Sequence, residues 1–248
     1  MSRPRWNRNR SVSQAEWMVR QRWMALQRPV SENLIVALFG GKGKGKSTLA
    51  REVIRLHPRV TILDAHGEYG EDHEADPLLG CKHAWELDEC MSLMLAVKDE
   101  KRFCISLREP DDGAALQLWP VLWEIPDQLI VIEEASRFCD PTRLPREVAR
   151  VLRLGRHRSL SQLYIAQRPS AVHRDVTANA DVIVAFRQQE PRDILYLRAV
   201  AGQEVERLRA LPDYKVMAFG DLSKVPVPVL ERIHQPAQRS LDLKPEGE

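Results

Sequence analysis

The 248-residue chain has few cysteines, few lysines and no long apolar run. Its four cysteines, Cys81, Cys90, Cys104 and Cys139, show no metal-ligand spacing and are too sparse for a disulfide scaffold. No stretch of 18 or more apolar residues exists, so no membrane-spanning helix is expected. The N-terminus lacks the apolar core of a signal peptide. The cysteines are therefore expected to be reduced, buried thiols of a cytoplasmic protein. With 44% hydrophobic and 29% charged residues, the composition is neither collagen-like nor that of a disordered chain.

Lysine is scarce for a reason of distribution. Arginine supplies 28 of the 37 cationic residues, yet three of the nine lysines, Lys42, Lys44 and Lys46, fall within five positions. The net charge of +2 also hides sorting. Residues 1–28 carry seven Arg against Glu16 alone, together with Trp6, Trp17 and Trp23. From Arg137 to Arg174 nine Arg face only Asp140 and Glu147. Between Asp64 and Asp76 stand six acids and no Lys or Arg.

Three regions follow: a basic Arg/Trp arm over 1–29, a core over 30–224, and a proline-rich tail over 225–248. The arm allows a short helix from Ser13 to Gln27, with Ser13 as N-cap and Glu16 in the capping-box position. In the core, short apolar runs alternate with helix-length segments, which implies an α/β fold with a largely parallel sheet covered on both faces. The runs are Leu34–Phe39, Val60–Leu63, Phe103–Leu107, Leu129–Ile132, Leu163–Ala166, Val182–Phe186 and Val216–Phe219. Helices are expected over Ser47–Leu56, Ala84–Val97, Gly113–Trp123, Leu144–Leu154, Pro191–Val200 and Gln203–Leu211.

Directly after the first run stands Gly40-Gly41-Lys42-Gly43-Lys44-Gly45-Lys46-Ser47-Thr48, which fits the phosphate-loop pattern G-x-x-x-x-G-K-[ST]. Glycines let backbone N–H groups curl around an oxyanion, and the N-terminus of the following helix adds positive charge. These nine residues are the expected ATP site, with Lys46 reaching the β- and γ-phosphates and Ser47 holding Mg²⁺. Lys42 and Lys44 either add charge near the phosphates or point into solvent. The run Leu129–Ile132 ends in Glu133 and Glu134, as a strand that positions Mg²⁺ and the attacking water requires. Glu133 is expected in the metal shell, and Glu134 as the group that orients or deprotonates water.

Four segments in order resemble the HerA/FtsK superfamily of DNA-pumping ATPases: the phosphate loop, Asp64-Ala65-His66-Gly67-Glu68-Tyr69, Val131–Ser136, and Gly155-Arg156-His157-Arg158 followed by Gln167-Arg168-Pro169-Ser170. The resemblance spans about residues 34–186 and implies a RecA-like P-loop core. It implies that Gln167 senses the γ-phosphate or the attacking water. It also implies an arginine finger supplied by a neighbouring subunit, with Arg156 the first choice and Arg158 the second. The family more often has Asp where this chain has Glu133. Without the N-terminal barrel of cellular HerA or the membrane segments of cellular FtsK, the layout is similar to compact viral genome-packaging ATPases.

The resemblance thus implies an ATP-driven translocase of double-stranded DNA, acting as a ring, a hexamer by analogy, in the host cytoplasm or on the virion, with capsid or portal proteins as further partners. Alternatives are a HerA-like repair or transfer motor partnered with a nuclease, a P-loop kinase, and an assembly factor that binds ATP without pumping. Arg143, Arg146, Arg150 and Arg153 would form one helical stripe suited to phosphates, to acids of an adjacent subunit, or to water. The arm suits DNA or protein docking equally. Asp64 and Glu68 either tune the water and link subunits or are solvated.

Overall fold

The computed structural model describes residues 33–67, 69 and 81–225. The expected arm helix, Glu68, the acids at 71–76 and the tail beyond Val225 lie outside the described residues.

Eight strands form one sheet: β1 (Ile35–Phe39), β2 (Arg59–Asp64), β3 (Lys82–Ala84), β4 (Phe103–Arg108), β5 (Gln128–Ile132), β6 (Leu160–Ala166), β7 (Val182–Phe186) and β8 (Val216–Gly220). Their order is β3-β4-β2-β5-β6-β1-β7-β8. All pairings are parallel except that of β8, which runs antiparallel to β7. Seven strands match the apolar runs. The short β3 does not, because Lys82-His83-Ala84 on the sheet edge is too short and polar to register as a run.

The helices are α1 (Lys46–Arg55), α2 (Leu87–Val97), α3 (Asp112–Ala115), α4 (Leu118–Glu124), α5 (Arg146–Leu154), α6 (Arg174–Asn179) and α7 (Pro191–Ala201). The single helix expected over Gly113–Trp123 is two. Pro120 has no N–H to give the carbonyl of Leu116, and its ring opposes that carbonyl, so the chain breaks between α3 and α4. Ala84 belongs to β3 rather than to α2, which begins after an extended Glu86. Residues Gln203–Ala210 coil as a 3₁₀ helix. The six-residue α6, capped by His173 accepting from Asp175 N, is too short for periodicity to reveal.

Successive strand residues enter opposite layers, as a period of two requires. Ala37, Phe39, Ile130, Ile132, Ile183 and Ala185 join the layer built with α2, α4, α5, α6 and α7. Val36, Leu38, Leu129, Val131, Val182 and Val184 face the other way, toward α1, Tyr69 and Cys81. Two polar pairs inside the sheet satisfy one another: Thr61 Oγ1 donates to Gln128 Oε1 at 2.7 Å, and Tyr164 OH to Gln162 Oε1 at 2.7 Å.

The cysteines depart from expectation. Cys81 and Cys104, with Cα atoms 4.4 Å apart, are joined in a disulfide. The pairing joins the chain just before β3 to β4, a proximity that sequence spacing does not reveal. Cys90 and Cys139 are free and buried, as expected, and burial pushes each thiol up to about 12.

Candidate functional site

Strand order decides what meets the phosphate loop. In a parallel sheet, the segments that follow the strands all emerge at one edge, where ligands bind. Because β6 lies between β1 and β5, the segment after β6 is set between the phosphate loop and the two glutamates. Register aligns them: Phe39 pairs with Ala166, and Ile132 with Tyr164. Gly40 N donates to Ala166 O at 3.2 Å, fixing the start of the loop to the end of β6.

The loop Gly40–Gly45 runs into α1, whose N-cap Gly45 has φ 102°. Gly43, at φ 71°, is likewise in a conformation that a Cβ would disfavour. At Gly40 a Cβ would come within 2.8 Å of Phe186 Cβ, so the residue must be glycine for the loop to lie against β7. Lys46 Nζ donates to Gly41 O at 3.2 Å, folding the ammonium back over the loop. Lys46 and Ser47 are half-buried; Lys42, Gly43 and Thr48 are exposed.

Lys44 does not point freely into solvent. Its Nζ donates to Asp213 Oδ1 at 2.7 Å, and Arg187 reaches the same oxygen at 2.6 Å. The hydrogen bond from Lys44, with Arg187 nearby, holds the Asp213 carboxyl below its usual range. The contact is therefore intact above the ordinary carboxylate range and is lost only as pH falls through the depressed value.

Glu133 and Glu134 occupy different environments. Glu133 is buried, and its Oε1 accepts from the hydroxyl of the fully buried Tyr69 at 2.8 Å. Tyr69 N donates to Asp64, which also accepts from Ser106 Oγ. The Arg51 guanidinium of α1 lies 5.6 Å from the Tyr69 ring centre, so Tyr69 links the phosphate-loop helix to Glu133. Asp64 is thus a buried hydrogen-bond acceptor rather than a solvated acid. Glu134 has φ 45° and ψ 54°, a left-handed conformation rare for a non-glycine residue. Its Oε1 accepts from Gln167 Nε2 at 2.7 Å and lies 3.2 Å from His66 Nε2. Gln167 and Glu134, 33 positions apart, thus meet directly. No local pattern assigns a role to Tyr69 or His66, although both lie in the Asp64–Tyr69 segment.

Ser47 and Glu133 offer a hydroxyl and a carboxylate, hard oxygen donors of the type Mg²⁺ takes beside phosphate oxygens. Among the described residues no group of three His, Cys, Asp or Glu forms a separate metal cluster.

Arg156 and Arg158 stand elsewhere. They belong to a 3₁₀ turn (Gly155–Arg158) that precedes β6, whereas Gln167 follows it. Seven strand residues put them about 20 Å from the phosphate edge. Arg158 is engaged by its own chain, donating to the carbonyls of Trp123 at 3.1 Å and Glu124 at 3.0 Å. The Arg156 side chain is exposed. The expected four-arginine stripe is three on α5, because the helix starts at Arg146 after Pro145 and Arg143 lies in the preceding bridge with Asp140. Arg150 stacks over Trp123 at 4.1 Å and Arg153 pairs with Asp175, while Arg143 and Arg146 are exposed.

No family model and no curated protein matches the sequence. Solved structures match the fold. The genome packaging NTPase of Sulfolobus turreted icosahedral virus 2, in complex with AMP, is 21% identical with a TM-score of 0.61, covering 77% of this chain and 94% of that one. The same protein with ATP-gammaS gives 21% and 0.60, over 77% and 94%. The DNA-packaging ATPase of Sulfolobus turreted icosahedral virus gives 18% and 0.59, over 76% and 93%. This chain therefore has the α/β P-loop NTPase fold of these viral packaging ATPases.

Proposed function

We propose that the chain is a Mg²⁺-dependent ATPase that drives double-stranded DNA through a ring of its own copies, a hexamer by resemblance, in the packaging of a viral genome. The observation that carries this reading is the convergence, on one sheet edge, of the loop Gly40–Thr48, Glu133, and the Glu134–Gln167 pair at 2.7 Å. A nucleotide binder alone needs the loop. A carboxylate held by a polar amide beside it is what water activation needs.

In this reading Lys46 offsets charge on the β- and γ-phosphates, and Ser47 and Glu133 would hold Mg²⁺, which would supply further positive charge there. Glu134 accepts the proton of the attacking water, while Gln167 and His66 set the direction of its carboxylate. Arg156, too far from its own phosphate loop, serves the site of the next subunit. A head-to-tail contact of this kind closes into a ring. Exposed Arg143 and Arg146, with the basic arm, are candidates for phosphate contacts along DNA, and capsid or portal proteins for the docking partner.

ATP hydrolysis measured with and without duplex DNA across a salt series tests the reading. Stimulation at low salt that fades as salt rises is expected, because phosphate contacts release counterions. Hydrolysis indifferent to DNA at every salt concentration would remove the translocase reading and leave an NTPase of another kind.

A further inference from the structure

An aromatic side chain that the catalytic reading leaves unused stands beside the phosphate loop. Tyr214, in the segment before β8, is 49% exposed. Its Cδ1 lies 3.6 Å from the place a Cβ on Gly45 would take, and the Phe186 ring comes within 3.5 Å of the same point. Its φ is 62°, a backbone conformation that residues with a Cβ seldom adopt. The segment is held there by its neighbour: Asp213 pairs with Lys44 of the loop and with Arg187 at the end of β7. Strain of this kind persists where the surroundings over-determine it, and it clusters at binding sites.

Strand order gives the side chain a direction to serve. Glu133 and Glu134 follow β5, two strands from β1 on one side; Phe186 and Tyr214 lie at β7 and β8, on the other. A nucleotide whose terminal phosphate faces Glu134 must extend its base away from the glutamates. That is the side where Tyr214 exposes its ring.

We propose that Tyr214 stacks on the base of the bound nucleoside triphosphate, with the Asp213 ion pairs holding the ring at the mouth of the phosphate loop. The proposal rests on the reading of residues 40–48 as the phosphate site. Stacking on an aromatic face tolerates every base, so adenine and guanine nucleotides should lose affinity alike when the ring is removed.

The test is calorimetric titration of the full chain and its Tyr214→Ala and Tyr214→Phe variants with ADP, GDP and inorganic tripolyphosphate, all with Mg²⁺. Tripolyphosphate fills the phosphate site but has no base. Tyr214→Ala should weaken ADP and GDP by roughly 10- to 100-fold while tripolyphosphate affinity stays at the parent value, and Tyr214→Phe should restore both nucleotides. Equal ADP affinity in parent and Tyr214→Ala overturns the proposal. Parallel weakening of ADP and tripolyphosphate also overturns it, because the ring would then be acting on the loop. A parent protein that binds neither ligand overturns the phosphate-site reading itself, and this one with it.

Discussion

The role proposed for Glu134 rests on its backbone as well as on its carboxylate. Its left-handed conformation turns the chain sharply after β5 and aims Oε1 at Gln167 and His66. Glu134→Gln keeps the shape and removes the proposed base, so single-turnover hydrolysis should fall about 10²- to 10⁴-fold while ATP binding is retained. Hydrolysis at the parent rate would reassign the activating group. Cysteine chemistry is a second matter of single residues. Cys90 and Cys139 are buried with thiols held up to about 12, and so are poor nucleophiles at neutral pH. A thiol reagent should label none of the four cysteines in the native protein, Cys90 and Cys139 on unfolding, and all four only after reduction. Labelling of four on unfolding alone would show that Cys81 and Cys104 are not joined.

At the scale of elements, β8 is joined tightly to β7 at the end of the strands away from the phosphate loop, where Gly220 pairs with Val182. Gly220 has φ 105°, and a Cβ there would come 2.2 Å from Asp181 O. The atoms it would meet are backbone atoms of Asp181 and Val182, which cannot yield as a side-chain tip can. Gly220→Ala should destabilise the fold by about 2 kcal/mol or more. That corresponds to a melting temperature lower by about 4–8 °C for a domain of this size. An unchanged melting curve would mean that β8 can detach from β7 at little cost. The joint also bears on the site, since β8 follows directly from the segment that sets Asp213 against Lys44.

For the whole molecule, the distance from Arg156 to the phosphate edge turns an expectation into a requirement: this side chain serves another copy or has no part in hydrolysis. Arg156→Ala should be inactive alone and regain activity when mixed with Lys46→Ala subunits, since each supplies what the other lacks. Absence of rescue counts against action between subunits. Arg158 is the weaker candidate, because its guanidinium already closes the end of α4 through the carbonyls of Trp123 and Glu124. The arginines of and before α5 divide in the same way. Arg150 and Arg153 knit α5 to α4 and α6, which leaves Arg146 on the helix and Arg143 just before it for an outside partner.

Local chemistry by itself determined seven of the strands, the phosphate loop and the paired acids. Apolar runs of four to six residues are too short for a helix and fit a buried strand, and the glycine and lysine spacing of residues 40–48 acts within nine consecutive positions. What lies far apart in sequence was decided by tertiary structure alone. The pairing of Gln167 with Glu134 depends on β6 inserting between β1 and β5, an order that no local pattern encodes. The hydroxyl of Tyr69 on Glu133, the Lys44–Asp213 pair and the Cys81–Cys104 bond likewise join segments between 23 and 169 positions apart. Residue type fixes what a side chain can donate, accept or bury; only the packed sheet fixes which partner comes within reach.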